Sequence, residues 1–177
     1  MASMKLAFAL GLMSLSLMAA PPVVGEKAPD FVLKNLDGKA VKLSEKTAKG
    51  PVVLIVLRGF PGYQCPLCNR QVKEFAAKAA EFEGKSVVLV YPGPGEHLNE
   101  KAAEFVMDKK LPANFDLVLD PDYTFTKQYG LRWDAPQETA YPSTFLIDSK
   151  GMVFFSKVSK THGGRSTVAE LVAELAK

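Results

Sequence analysis

The stretch PVVLIVLRGFPGYQCPLCNRQVKEF, from Pro51 to Phe75, contains a buried-strand pattern, a loop and the start of a helix. Its first part, Pro51–Leu57, is a continuous apolar run rich in β-branched residues, which is typical of a central strand covered on both faces. Beyond the loop, apolar residues recur at helical spacing until Gly84 ends the pattern. The stretch therefore predicts a strand followed by a helix, with both cysteines of the chain between them.

The alternation of strands and helices continues on either side of this stretch. Upstream, Asp37-Gly38 marks a turn between two short extended segments. Downstream, the pattern predicts strands at 86–92 and 115–120, helices at 99–110 and 122–130, a hairpin turning at 149–151, and a last helix at 167–177. This order predicts an α/β fold, a three-layer sandwich with a mixed central sheet and helices on both faces.

The composition is that of a soluble globular protein. The chain has 177 residues, of which 47% are hydrophobic and 23% charged, so one domain with a substantial core is expected. The net charge is only +3, and the lysines are interleaved with glutamates instead of being clustered. A nucleic-acid partner is therefore not expected, because it would need a basic patch.

The first 20 residues differ from the rest and predict a signal peptide. Lys5 is followed by the apolar run LAFALGLMSLSLMAA and then by Pro21-Pro22. This run is shorter than the roughly 20 apolar residues that span a bilayer, so stable membrane insertion is not expected; an uncleaved anchor is the alternative. Residues 21–177 are predicted to be the working domain, exported to the periplasm or secreted, where disulfides persist.

The two cysteines, Cys65 and Cys68, are predicted to lie at the start of the helix. Pro66 suits the first helical turn, which places Cys65 at or near the N-cap, beside unpaired N–H groups and the positive helix end. This position lowers a thiol pKa below about 8.5, and Arg70 and Arg58 would add positive potential. Because Cys65 is expected to be the more exposed thiol, it would attack a substrate, and Cys68 would resolve the product as a disulfide.

The dithiol has three other possible roles besides redox chemistry: a structural staple, half of a zinc site and part of a copper site. As a structural staple, so small a ring contributes only roughly 2 kcal/mol. A zinc site lacks a second pair of cysteines, and His97 and His162 lie far apart in the sequence. A copper site formed by the two cysteines and His162 is conceivable. A lone dithiol at a strand-to-helix turn is more often redox-active, so neither a metal nor an organic cofactor is expected.

Pro142, immediately before the strand pattern STFLID, is a second candidate site residue. Proline is tolerated at the first position of a strand, so an ordinary edge-strand start would explain it. An X–Pro bond in the cis form is also a common way to present backbone beside a site. Pro142 is therefore predicted to shape the substrate surface.

These segments together resemble the thioredoxin-fold redoxins, in particular the alkyl hydroperoxide reductase/thiol-specific antioxidant (peroxiredoxin-like) family. The matching stretches are GEKAPDFVLKNLDGKAVKLSE, PVVLIVLRGFPGYQCPLCNRQVKEF, DPDYTFTKQYGL and YPSTFLIDSKG. They are spread along the chain, so that the resemblance extends over nearly all of residues 21–177. The resemblance implies a thioredoxin-like fold and a thiol-dependent oxidoreductase that reduces peroxides or protein disulfides. It also implies regeneration by an external thiol or thioredoxin-like electron donor.

The active-site segment fits two patterns within that resemblance. Pro61, Cys65 and Cys68 have peroxiredoxin spacing, in which Pro61 helps to shape the site and Cys68 takes the peroxidatic position. In the thioredoxin pattern Cys65 attacks and Cys68 resolves. Where many peroxiredoxins place an arginine beside the later strand, this sequence has Pro142 and Ser143. The expected function is a peroxiredoxin-like oxidoreductase; the alternatives are a dedicated thiol:disulfide reductase and, less favoured, a copper-binding module.

Overall fold

A computed structural model describes residues 19–177, so that most of the predicted signal peptide lies outside the described residues. The strands are β1 (Val32–Asn35), β2 (Ala40–Lys42), β3 (Val52–Val56), β4 (Ser86–Gly93), β5 (Phe115–Pro121), β6 (Ser143–Ile147) and β7 (Val153–Val158). The helices are α1 (Leu43–Thr47), α2 (Pro66–Ala77), α3 (Leu98–Val106), α4 (Thr124–Gln128) and α5 (Val168–Leu175), with a 3₁₀ turn at Ala79–Phe82. No helix within residues 19–177 has the length and apolar character needed to cross a membrane.

The strands form one mixed sheet in the order β2-β1-β5-β4-β3-β6-β7. Strands β3, β4 and β5 run parallel, whereas β1, β2, β6 and β7 pair antiparallel to their neighbours. Every residue of β3 is buried, as its apolar run predicts. The predicted mixed α/β sheet is confirmed.

Helices cover both faces of this sheet. The alternate residues of β3 point to opposite sides, and Val53 and Ile55 pack in a core with residues of α2, α3 and α5. Val52 and Leu54 pack in a second core with Leu43 of α1 and Phe125 of α4. The dithiol helix α2 therefore shares its face of the sheet with the C-terminal helix α5.

Helix α1 is an element that the sequence pattern did not predict. Its residues continue the segment that was expected to be extended. The carboxylate of Asp30 accepts hydrogen bonds from the backbone N–H and the hydroxyl of Ser44, both at 2.9 Å. These bonds satisfy donors in the first turn of α1, and they come from a residue 14 positions away, which no local pattern can indicate.

Three segments meet at one edge of the sheet, where β3 ends. Val56, the last residue of β3, pairs with Ser143, the first residue of β6. Ser143 also pairs with Val158, the last residue of β7. The loop after β3, the start of β6 and the loop after β7 are therefore brought together, and this edge carries the candidate site.

Candidate dithiol site

Cys65 is the N-cap residue of α2, as predicted. Its backbone is extended (φ −70°, ψ 114°), and Pro66 occupies the first turn. The sulfur of Cys65 accepts a hydrogen bond from the backbone N–H of Cys68, with an N···S distance of 3.4 Å. The Cys65 sulfur thus takes the place that a serine or aspartate oxygen holds at other helix starts.

Both thiols are buried, which differs from the expectation of an exposed Cys65. Cys65 is 2% exposed and Cys68 0%. The reason is tertiary: both side chains belong to the core on this face of the sheet, and the loop after β7 brings Arg165 against the sulfurs. The exposed fractions of the two thiols therefore differ far less than their positions in the helix suggested.

The two thiols nevertheless differ strongly in acidity. The hydrogen bond from the Cys68 side chain lowers the pKa of Cys65 to about 5, against the opposing effect of burial, with further help from the Cys68 N–H, Arg165 and Arg58. Burial and the same hydrogen bond raise the pKa of Cys68 well above that of a free thiol. The pair therefore holds one proton at neutral pH, on Cys68, and leaves Cys65 as the thiolate.

Arg165, in the loop between β7 and α5, is a residue of the candidate site that the sequence pattern did not predict. Its Nη2 lies 3.5 Å from the sulfur of Cys68 and 3.9 Å from that of Cys65. Its Nη1 donates to Oε1 of Gln71 at 2.9 Å, and its Nε donates to the carbonyl of His162 at 3.1 Å. The guanidinium is thus held in place over both sulfurs. The only local signal is an arginine in a glycine-containing loop just before a helix cap.

Arg58 supplies the second cationic contribution to the Cys65 pKa. It is 3% exposed, and its Nε forms an ion pair with Oε2 of Glu138 at 2.6 Å. Its other nitrogens donate to the hydroxyl of Tyr63 and to the carbonyl of Gln137, both at 2.7 Å. Arg58 therefore ties the loop before the dithiol to the segment before β6.

Arg70, which was expected to add positive potential at the thiols, lies elsewhere. Its side chain is exposed. The cations that lower the Cys65 pKa are Arg165 and Arg58. Because residues three or four apart share a helix face, a residue five positions after the N-cap does not point back to it. Arg70 instead lines a cleft beside the site, together with Arg165.

Pro142 and Pro61 lie in the segments that surround the dithiol. Pro142 is buried at the start of β6, and its carbonyl accepts a hydrogen bond from the N–H of Ser159 at 2.9 Å. Its peptide bond is trans, so the expected cis presentation is absent at this position. Pro142 fastens the loop that carries Arg165. Pro61 is half-buried in the loop between β3 and Cys65.

The histidine of the copper hypothesis is engaged with other groups. Nε2 of His162 lies 2.7 Å from Oε1 of Glu138, and its ring packs on Trp133 with centroids 5.1 Å apart. Within residues 19–177, no three His, Cys, Asp or Glu side chains are grouped so that they could hold a metal ion. The arrangement provides instead a thiolate, a neighbouring thiol that carries the proton, and a fixed cation, which are the groups that thiol–disulfide and thiol–peroxide chemistry requires.

Comparisons with known proteins agree with this chemistry. The model of the AhpC/TSA family matches residues 24–156. A putative peroxiredoxin Bcp of Helicobacter pylori is 32% identical over 147 residues, covering 78% of this chain and 91% of that protein. The thiol-disulfide oxidoreductase ResA of Bacillus subtilis is 31% identical over 129 residues, covering 73% of this chain and 64% of that protein.

Solved structures show the same fold. A peroxiredoxin-like protein from Aquifex aeolicus superposes with a TM-score of 0.70 at 21% identity, covering 88% of each chain. Peroxidoxin BcpB from Mycobacterium tuberculosis gives a TM-score of 0.69 at 25% identity, covering 88% of this chain and 95% of that one. Arg165 lies beyond the last residue that the family model matches. The chain belongs to the AhpC/TSA family and is a thiol-dependent oxidoreductase with the thioredoxin-like fold.

Proposed function

We propose that this protein is an exported oxidoreductase in which Cys65 attacks the substrate and Cys68 closes a Cys65–Cys68 disulfide. The observation that carries the proposal is the position of the Cys65 sulfur at the N-cap of α2, where it accepts the Cys68 N–H and faces Arg165. These donors stabilise a thiolate, which is the nucleophilic form of cysteine. Cys68 keeps its proton because it is fully buried.

A hydroperoxide is the substrate that we favour. The Cys65 thiolate attacks one peroxide oxygen, the O–O bond breaks, and the leaving alkoxide or hydroxide takes up a proton, which leaves a sulfenic acid on Cys65. The Cys68 thiol then displaces water from that sulfenic acid, and the disulfide forms. The burial of Cys65 supports this choice, because a peroxide is small enough to reach a thiol that is only 2% exposed.

A thiol:disulfide reductase is the second candidate function. Similarity to ResA and the Cys-x-x-Cys spacing favour it. The same thiolate would attack a substrate disulfide, form a mixed disulfide and release the substrate when Cys68 attacks. A protein disulfide would have to approach Cys65 in line with the breaking S–S bond, so the loop that carries Arg165 would have to move. An external thiol or a thioredoxin-like protein would return the enzyme to its reduced form in either case.

Export is proposed from the sequence of the first 20 residues. A lysine, an apolar run and a small-residue end precede the redoxin domain, which we place at residues 21–177. An exported location suits the chemistry, since a dithiol cycling through a disulfide functions where disulfides persist.

The test is the oxidation of reduced wild type, Cys65→Ser and Cys68→Ser by hydrogen peroxide, followed by stopped flow and by trapping of sulfenic acid. We expect Cys68→Ser to keep the first oxidation step and accumulate a sulfenic acid, and Cys65→Ser to lose that step. Loss in Cys68→Ser with retention in Cys65→Ser would reverse the two roles. A wild-type rate no faster than that of free cysteine would instead favour the disulfide reductase.

A further inference from the structure

A cleft of about 220 Å³ lies between α2 and the loop before α5, and it is joined to the dithiol by Arg165, which lines the cleft and contacts the sulfurs. Its lining comes from two segments: Leu67, Arg70, Gln71 and Glu74 on α2, and residues 162–167 of the loop. Of these lining residues, the proposed chemistry at Cys65 and Cys68 uses Arg165 and the two residues that hold it, Gln71 and His162. Most of the cleft is therefore not explained by the reaction itself.

One residue that lines the cleft, Ser166, has a buried hydroxyl without a partner in the described part of the chain. Ser166 is only 4% exposed, and its Oγ finds no hydrogen-bond partner among residues 19–177. A buried hydroxyl without a partner costs about 1–3 kcal/mol, and Ser166 is one of the residues that line the cleft, so a ligand that accepted this hydrogen bond would recover that cost. Thr167, the N-cap of α5, lies on the same wall, and its N–H is already accepted by the Glu170 carboxylate in a capping box.

The charges of the cleft favour an anion. Arg70 and Arg165 both line it, and Glu74 is the one carboxylate among its lining residues. Glu74 lies 3.9 Å from Lys78, so its charge is partly offset. Arg165 donates one N–H from Nη1 to Gln71, which leaves the second N–H of that nitrogen for a ligand. The ion pairs of α2 use Lys73 and Lys78, and Arg70 forms none with residues 19–177.

The oxidation state of the dithiol decides when an anion would bind. In the reduced protein the positive charge of Arg165 faces the Cys65 thiolate, which repels a second anion. In the disulfide form neither sulfur is charged, so the guanidinium, 3.5 and 3.9 Å from the two sulfurs, is left without a counter-ion. The cleft should therefore bind an anion more strongly in the oxidised enzyme than in the reduced enzyme. The oxidised enzyme is also the form with which the reductant reacts.

From these observations we propose that the cleft binds the carboxylate of a small, carboxylate-bearing thiol that reduces the Cys65–Cys68 disulfide. This inference rests on the proposed function, because it needs that disulfide to form. The bound thiolate attacks one sulfur, breaks the protein S–S bond and forms a mixed disulfide, and the released cysteine thiolate takes up a proton. A second thiol attacks the mixed disulfide, so two thiols are oxidised to one small disulfide and the protein dithiol is restored.

The experiment compares the reduction of the full oxidised protein by 3-mercaptopropionate, 2-mercaptoethanol and cysteamine, with rates corrected for the thiolate fraction and nucleophilicity of each. The readout is the rate ratio of the carboxylate thiol to the neutral thiol. We expect the ratio to be about 10 in the wild type at low salt and to fall as salt screens the charges. Arg70→Gln should lower the ratio by about three-fold, and Ser166→Ala by about two-fold or more.

Lys73→Gln is the matched control, because it removes one positive charge from an exposed position of α2 that does not line the cleft. It should leave the ratio at the wild-type value. A wild-type ratio near one, or a ratio unchanged in both Arg70→Gln and Ser166→Ala, overturns the proposal. A second comparison measures the oxidation of the reduced protein by linoleic acid hydroperoxide and by its methyl ester. A preference for the free carboxylate in this oxidation, with no such preference among the reducing thiols, also overturns the proposal.

Failure of the proposed function gives a different result. In that case no Cys65–Cys68 disulfide forms, and none of the three thiols has a substrate to reduce. Failure of the cleft proposal leaves all three thiols reactive without preference. The two outcomes are therefore distinguishable in the same experiment.

Discussion

At the scale of single residues, the candidate site depends on how one proton is shared between two sulfurs. The hydrogen bond from Cys68 and the cation Arg165 stabilise the charge on Cys65, whereas burial keeps Cys68 neutral. The sequence could predict the N-cap position, because Pro66 and the helical spacing that follows are local signals. It could not predict the role of Arg165, because this residue follows Cys68 by 97 positions and Cys65 by 100 positions in the sequence.

Replacing Arg165 tests this account of the thiolate. We expect Arg165→Gln to raise the pKa of Cys65 from about 5 by about one unit, because an opposite charge near the sulfur is lost. The measurement is the thiolate absorbance at about 240 nm as a function of pH. Arg70→Gln removes the same charge from an exposed position and should leave that pKa unchanged. An equal shift in both variants would mean that overall charge, and not the contact of Arg165, stabilises the thiolate.

At the scale of elements, the loop between β3 and α2 is held by close backbone contacts. Gly59 has a positive φ of 69°, and the N–H of Phe60 donates to the carbonyl of Pro92, at the end of β4, at 2.9 Å. Gln64 joins the same loop to the neighbouring elements, since its side chain accepts from the Tyr91 hydroxyl and donates to the carbonyl of Lys101, both at 2.8 Å. These contacts fix the direction from which the chain enters α2, and hence the position of the Cys65 sulfur.

A pair of glycine substitutions tests how strictly this loop is held. A Cβ at Gly59 would overlap the carbonyl oxygen of Pro92, whereas a Cβ at Gly62 meets no atom within 4 Å, although φ is positive at both positions. We expect Gly59→Ala to lower the free energy of unfolding by about 3 kcal/mol or more, and Gly62→Ala by about 1 kcal/mol from backbone strain alone. Urea denaturation measures both values. Equal losses of unfolding free energy in the two variants would show that the backbone at Gly59 does not pack tightly against Pro92.

The elements themselves were largely predictable, and the exceptions have tertiary causes. Continuous apolar runs indicated β3 and β4, and the predicted last helix is present as α5, which begins with a capping box of Thr167 and Glu170. Helix α1 was missed because Asp30 caps it from a distance. The Pro142 bond is trans, and its carbonyl instead anchors the loop after β7. In each exception the deciding partner lies far away in the sequence.

At the scale of the whole molecule, the sheet topology assembles the site from three distant parts of the chain. The parallel strand β3 delivers the dithiol to one edge, and the antiparallel pair β6 and β7 returns to that edge. Arg58 and Arg165, which flank the thiols in the sequence, thereby both lower the pKa of Cys65. The resemblance of local segments could predict the fold, but which side chains meet across the sheet edge depends on packing of the complete chain.

The central claim is that Cys65, and not Cys68, is the thiolate of the reduced enzyme. The most direct measurement is the pH dependence of iodoacetamide alkylation of the reduced wild-type protein, with each cysteine quantified by peptide mass spectrometry. Because a lowered pKa moves thiolate formation to lower pH, Cys65 should react with a midpoint near pH 5 and a plateau at neutral pH, while Cys68 stays unmodified. Alkylation of Cys68 at a lower pH than Cys65 would contradict the claim. So would a midpoint of Cys65 alkylation near pH 8.5, which is about the pKa of a free thiol.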